Sequence, residues 1–134
     1  MNQLYILKKR ENIMPKGSER LTNARKEEII NACAKLYTTM NFKDITLKQI
    51  SLETTFTRTS IYNYFQTKEE IFLALFQREY DLWTADIRQI FEKYEVMTVD
   101  EFASALAHTL EKRECLLKLL SMNHYDMESR SRLD

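Results

Sequence analysis

The eight residues from Thr57 to Tyr64, TRTSIYNY, gather three small hydroxyl side chains, a guanidinium, an amide and two phenols around one isoleucine. No carboxylate, thiol or imidazole stands among them. They offer hydrogen bonds on short or planar groups, which is the chemistry of recognition rather than of bond-breaking. Arg58 carries a fork that fits O6 and N7 of guanine, and Asn63 an amide that fits adenine. Thr59 and Ser60 suit either base or a thymine methyl. Thr57, Tyr62 and Tyr64, with Thr46, Lys48 and Lys68 nearby, suit phosphate oxygens, which position a protein on a duplex without reading its sequence. On a wheel at 100° per residue, Ile61 and Phe65 fall together, and Thr59, Ser60 and Asn63 fall opposite them. The tyrosines lie on the flanks. The pattern describes a short helix pinned from behind and polar in front, narrow enough for a major groove about 12 Å wide.

The neighbouring elements must hold that helix. Thr57 is a natural N-cap for Arg58–Tyr64. Upstream, Thr46 and Gln49 form a capping box that opens another short helix over 47–54. Two short helices joined by three residues, after a longer one, make a helix-turn-helix. The longer one carries Ile29, Cys33, Leu36 and Met40 at helical spacing. Thr22 or Asn23 is its expected start cap, and Asn41 its left-handed end residue, with Phe42 folding back. Thr67 and Glu70 read as a second capping box, opening a helix to Tyr94 about 40 Å long. Lys68 sits in its first turn, where the helix dipole disfavours a cation; a neighbouring phosphate would explain it. Thr98 and Glu101 make a third box, a break falls near Arg113, and CLLKLLSM reads as a further short helix. The closing MESRSRLD is polar and helix-compatible.

Composition agrees with helices. One Gly and one Pro in 134 residues are too few for a turn-rich β fold. No apolar run reaches the roughly 20 residues of a membrane span. The start lacks the apolar segment of a signal peptide. Cys33 and Cys115, far apart and without CxxC spacing, fit a reducing compartment. The expected location is therefore the cytoplasm. The net charge of zero hides a division: residues 1–68 hold 12 Lys/Arg against 6 Asp/Glu, and residues 69–134 hold 8 against 14. A basic half joined to an acidic half points to a polyanionic partner for the first. The expected plan is a mobile basic arm over 1–21, a DNA-binding domain over 22–68 and a second helical region over 69–134. Met14, ahead of PKGSERLTNARKEE, reads as the natural initiator.

Residues 25–72 resemble the DNA-binding domain of the tetracycline-repressor (TetR) family of transcriptional regulators. The family pattern runs from the recognition helix into Tyr-x-Tyr-Phe-x-[Ser/Thr]-Lys-Glu-Glu, and this chain has IYNYFQTKEE at 61–70, preceded by DITLKQIS at 44–51. The resemblance implies an all-α fold, with a three-helix helix-turn-helix head followed by a partial helical regulatory domain. It implies a repressor that binds double-stranded DNA, pairs as a homodimer when the full chain is present, and answers to a small-molecule effector. It places DNA contacts at Arg58, Thr59, Ser60, Tyr62, Asn63 and Tyr64, with Thr46, Lys48 and Lys68 on phosphates. Two departures stand out. Thr55 replaces the usual Gly of the turn, which costs roughly 1 kcal/mol if φ is positive there. The chain also ends where the family's later helices begin, as a truncated member would.

Other readings compete. A helical protein-interaction module would use the same helices without DNA. Lys8, Lys9, Arg10, Lys16 and Arg20 serve equally as a solubilising tail or as phosphate contacts. His108 and Cys115 lie seven apart, too few for a metal site. Phe76, Tyr80, Trp83, Phe91 and Met97 read as a packing core before they read as an effector pocket. No Ser/His/Asp set, phosphate loop or carboxylate pair is present, so neither catalysis nor a cofactor is expected.

Overall fold

The computed structural model describes residues 16–122. Among them the chain forms six helices: α1 Lys16–Tyr37, α2 Leu47–Leu52, α3 Arg58–Ile61, α4 Lys68–Lys93, α5 Val99–Glu111 and α6 Glu114–Ser121. No described residue lies in a strand.

The apolar stripes close on one another around α1 and the start of α4. Ile29, Cys33 and Tyr37 of α1 meet Ile50 of α2, Ile61 of α3 and Ile71, Phe72 and Leu75 of α4. Phe42 and Ile45, from the α1–α2 connection, fill the space between. Phe72 is central: its ring meets Tyr37 edge-on at 5.2 Å and Phe42 at 4.8 Å. Burying side chains of this size contributes about 1.5–3 kcal/mol each. Cys33 belongs to this core as a small apolar group, and burial pushes its thiol up to about 12. Leu119 of α6 enters the same core. The last described helix therefore packs directly against the head.

Beyond the head, α4 continues to Lys93 and carries the other helices. The Trp83 indole donates to Thr109 Oγ1 of α5 at 2.9 Å. Asp86 receives Arg113 through Nε at 2.9 Å and through a terminal nitrogen at 2.6 Å, and Lys112 approaches at 3.4 Å. Arg113 sits between α5 and α6, so this pair fixes the break that the sequence places there. Burial raises the Asp86 carboxyl, but the Arg113 hydrogen bonds and charge, helped by Lys112, leave it below its usual value.

Local expectations meet the structure unevenly. The Thr46–Gln49 and Thr98–Glu101 boxes form in both directions. At Thr67 only half a box forms. Its hydroxyl caps the Glu70 N–H at 3.2 Å, but the Glu70 carboxylate takes the Gln66 N–H at 2.7 Å. The start of α1 is corrected: the helix already runs at Lys16, and Thr22 caps nothing. Its hydroxyl bonds back to the Ser18 carbonyl at 2.9 Å, as hydroxyls inside helices do. These first turns are solvated, so they left no apolar period to read. The Arg58–Tyr64 helix is also shorter than expected. Regular helix stops at Ile61, and tighter turns follow as Asn63 N–H bonds the Ser60 carbonyl at 3.2 Å. This bend swings Phe65 into the core. Asn41 and Thr55 do not take the left-handed region, because no described residue has positive φ.

Candidate nucleic-acid interface

α2 and α3 stand on α1, and α3 turns one face outward. Ile61 is fully buried and Phe65 nearly so. Arg58, Thr59, Tyr62 and Asn63 are exposed, Ser60 and Tyr64 half-buried. Thr46, Lys48 and Thr57 are exposed and Lys68 is half-buried. The wheel's division between a docked pair and a polar front thus reappears in the fold.

The ten candidate residues divide by what their side chains already do. Thr46 accepts the Gln49 N–H at 3.2 Å, and Thr57 accepts the Ser60 N–H at 3.3 Å. Thr57 and Ser60 also share a hydroxyl–hydroxyl bond at 3.0 Å. Lys68 donates to the Phe42 carbonyl at 2.7 Å, with its ammonium 4.2 Å from the Phe42 ring centre. Its place in the first turn of α4 therefore needs no phosphate to explain it. Tyr64 leans on Phe56, ring centres 6.3 Å apart. The side chains of Lys48, Arg58, Thr59, Tyr62 and Asn63, by contrast, carry no hydrogen bond or ion pair to other described residues. These five leave their polar groups toward water, where a partner can meet them.

Sequence reading missed what holds the turn. Glu28 of α1 accepts the Thr55 N–H at 2.8 Å and its hydroxyl at 2.9 Å through one carboxylate oxygen. One helical turn earlier, the Arg25 guanidinium lies 5.0 Å from the centre of the Phe56 ring. Further along α1, Lys35 bonds Glu53 at 2.6 Å. Three side chains from one helix edge thus hold residues 53–56, and Thr55 keeps an ordinary backbone without glycine. The bond from the Thr55 backbone N–H, and then from its hydroxyl, holds the Glu28 carboxyl below its usual range. The spacing of Arg25 and Glu28 on one face was the available signal, but only the fold brings the turn beneath them.

Sites elsewhere rearrange differently. Phe76, Tyr80 and Trp83 form a ladder along α4, with centres 6.3 and 6.1 Å apart. Phe91 pairs with Phe102 across to α5 at 5.7 Å. His108 is exposed and lies 3.4 Å from Glu111. The described residues include no group of three or more His, Cys, Asp or Glu arranged for a metal.

Two family models cover most of the chain. Residues 29–75 match the bacterial regulatory proteins of the tetR family, and residues 77–134 match the tetracyclin repressor-like C-terminal domain. The chain belongs to the tetR family of bacterial regulatory proteins. Its first match covers α2, α3 and the parts of α1 and α4 that form their core, so the surface just described lies on the family's DNA-binding head. No curated protein and no solved structure gives a significant match. As a TetR-family member the protein is a DNA-binding transcriptional regulator and not an enzyme. No helix among the described residues is long and apolar enough to cross a membrane.

Proposed function

We propose that this regulator is a repressor whose α3 and following turn enter the major groove of an operator. Arg58, Thr59, Ser60 and Asn63 read base edges; Thr46, Lys48, Thr57, Tyr62, Tyr64 and Lys68 lie along phosphates. The single observation that carries this reading is the outward, uncommitted set of Lys48, Arg58, Thr59, Tyr62 and Asn63 beside a fully buried Ile61. Polar groups without internal partners, on a helix docked through one apolar pair, suit contact with a duplex.

Two copies pair, and their recognition helices meet successive major grooves about 34–36 Å apart. The acidic, helical second half supports this pairing, since Phe91, Leu117 and Leu120 remain exposed on it. A small-molecule effector acts through that half. An open groove of about 430 Å³ between α4 and α5, lined by Asp86, Ile90, Tyr94 and His108 among others, is a place for it to dock.

The test is a reporter gene placed under the DNA upstream of the protein's own gene. Expression falls with the wild-type protein and recovers with Arg58→Ala. Expression that rises, or that ignores both proteins, contradicts the repressor reading.

A further inference from the structure

The end of α1 raises a backbone problem that α6 solves. α1 stops at Tyr37 without a glycine and without any residue of positive φ. The last carbonyls of a helix have no partner within it. Thr38 and Thr39 turn their N–H groups back on Lys35 and Leu36, but the Tyr37 and Met40 carbonyls still need donors. Lys118 of α6 supplies both: its ammonium bonds the Tyr37 carbonyl, and the Met40 carbonyl at 2.9 Å. A cation at a helix C-terminus is also favoured by the dipole.

The contact is reciprocal. The Tyr37 hydroxyl donates to the Lys118 carbonyl at 3.3 Å, and the Lys118 ammonium lies 4.2 Å from the Tyr37 ring centre. Leu116 and Leu119, on either side of Lys118, are buried, so α6 cannot slide without disturbing the core. Tyr37 is 3% exposed and its ring packs edge-on against Phe72 of α4. One lysine therefore joins the C-terminal half to the point where α1 passes into the connection over 38–46, which ends at the Thr46 cap of α2.

We infer that Lys118 is a positioning residue for DNA binding: by tying α6 to the end of α1 it sets where the helix-turn-helix sits. This rests on the proposed DNA reading for its consequence, but not for its geometry. Displacement of α6 would then reach the DNA head through the end of α1.

Lys118→Met keeps the stem against the Tyr37 ring and removes the ammonium; Lys118→Arg keeps a cation. Amide hydrogen exchange on the DNA-free proteins reads the geometry. In Lys118→Met, exchange over 38–50 speeds up at least fivefold while α5 is unchanged, and Lys118→Arg restores protection. Unchanged exchange over 38–50 overturns the inference, whatever the protein does with DNA. Anisotropy with a duplex from upstream of the gene then reads the consequence at matched folded fraction. Affinity falls about fivefold or more in Lys118→Met, within the usual range of coupling between sites, and returns with Lys118→Arg. Full affinity in Lys118→Met despite faster exchange leaves Lys118 a stabilising contact only and overturns its positioning role. A wild-type protein that binds no duplex instead removes the DNA reading, and the exchange result still decides the latch.

Discussion

At the scale of residues, the division between committed and uncommitted side chains makes different substitutions fail differently. Removing Arg58 or Asn63 deletes a group with no hydrogen bond or ion pair to the other described residues, so stability should stay within about 0.5 kcal/mol. Duplex affinity should fall by about 1–3 kcal/mol for each and should relax preference at one base position. Lys48→Ala should instead weaken all duplexes alike and lower the salt slope by about one. Anisotropy titrations over a panel of duplexes, with thermal melts alongside, separate these outcomes. Glu28 gives a pH test. Its carboxyl is depressed in the fold by the two Thr55 bonds, so its contribution is complete above the ordinary glutamate range, about 4.3. It is lost as pH falls through the lower folded value. Glu28→Gln cannot titrate. The difference in Tm between the wild type and this variant should therefore shrink as pH drops below about 4, and a constant difference would show that the Thr55 contact carries no charge dependence.

Elements transmit these effects because each is pinned at few points. α3 is four residues long and could not persist alone. It depends on Ile61, on the Thr57 cap and on the hold of α1 over residues 53–56. Ile61→Ala should cost about 2–5 kcal/mol by leaving a cavity, measurable by urea unfolding, and should abolish duplex binding at temperatures where Arg58→Ala remains folded. The other weak joint lies at the end of α5. Asp86 is only 12% exposed and anchors Arg113, so Asp86→Ala should cost about 1–3 kcal/mol by stranding a charged donor. Hydrogen exchange should locate that loss first in α5 and at the joint between α5 and α6.

On the scale of the whole molecule, what the sequence disclosed followed one rule. Short-range signals with a direct mechanism were readable: the boxes at Thr46 and Thr98, the cap at Thr57, the apolar pair of Ile61 and Phe65, the break at Arg113 and the long reach of α4. Contacts between distant segments were not. Glu28 meets Thr55, Arg113 meets Asp86 and Lys118 meets the end of α1 only after the chain has folded, so no spacing announces them. The solvated first turns of α1 escaped for the opposite reason, since a helix face with nothing to bury carries no apolar period.

The direct test is to follow the backbone amide resonances of the full chain during titration with a duplex from upstream of its gene. Binding through this face places the largest shifts at 46–49 and 57–68, on the outward side of α2 and α3 and at the start of α4. Shifts confined to α5 and α6, with the amides of Arg58–Tyr64 unmoved, would contradict it.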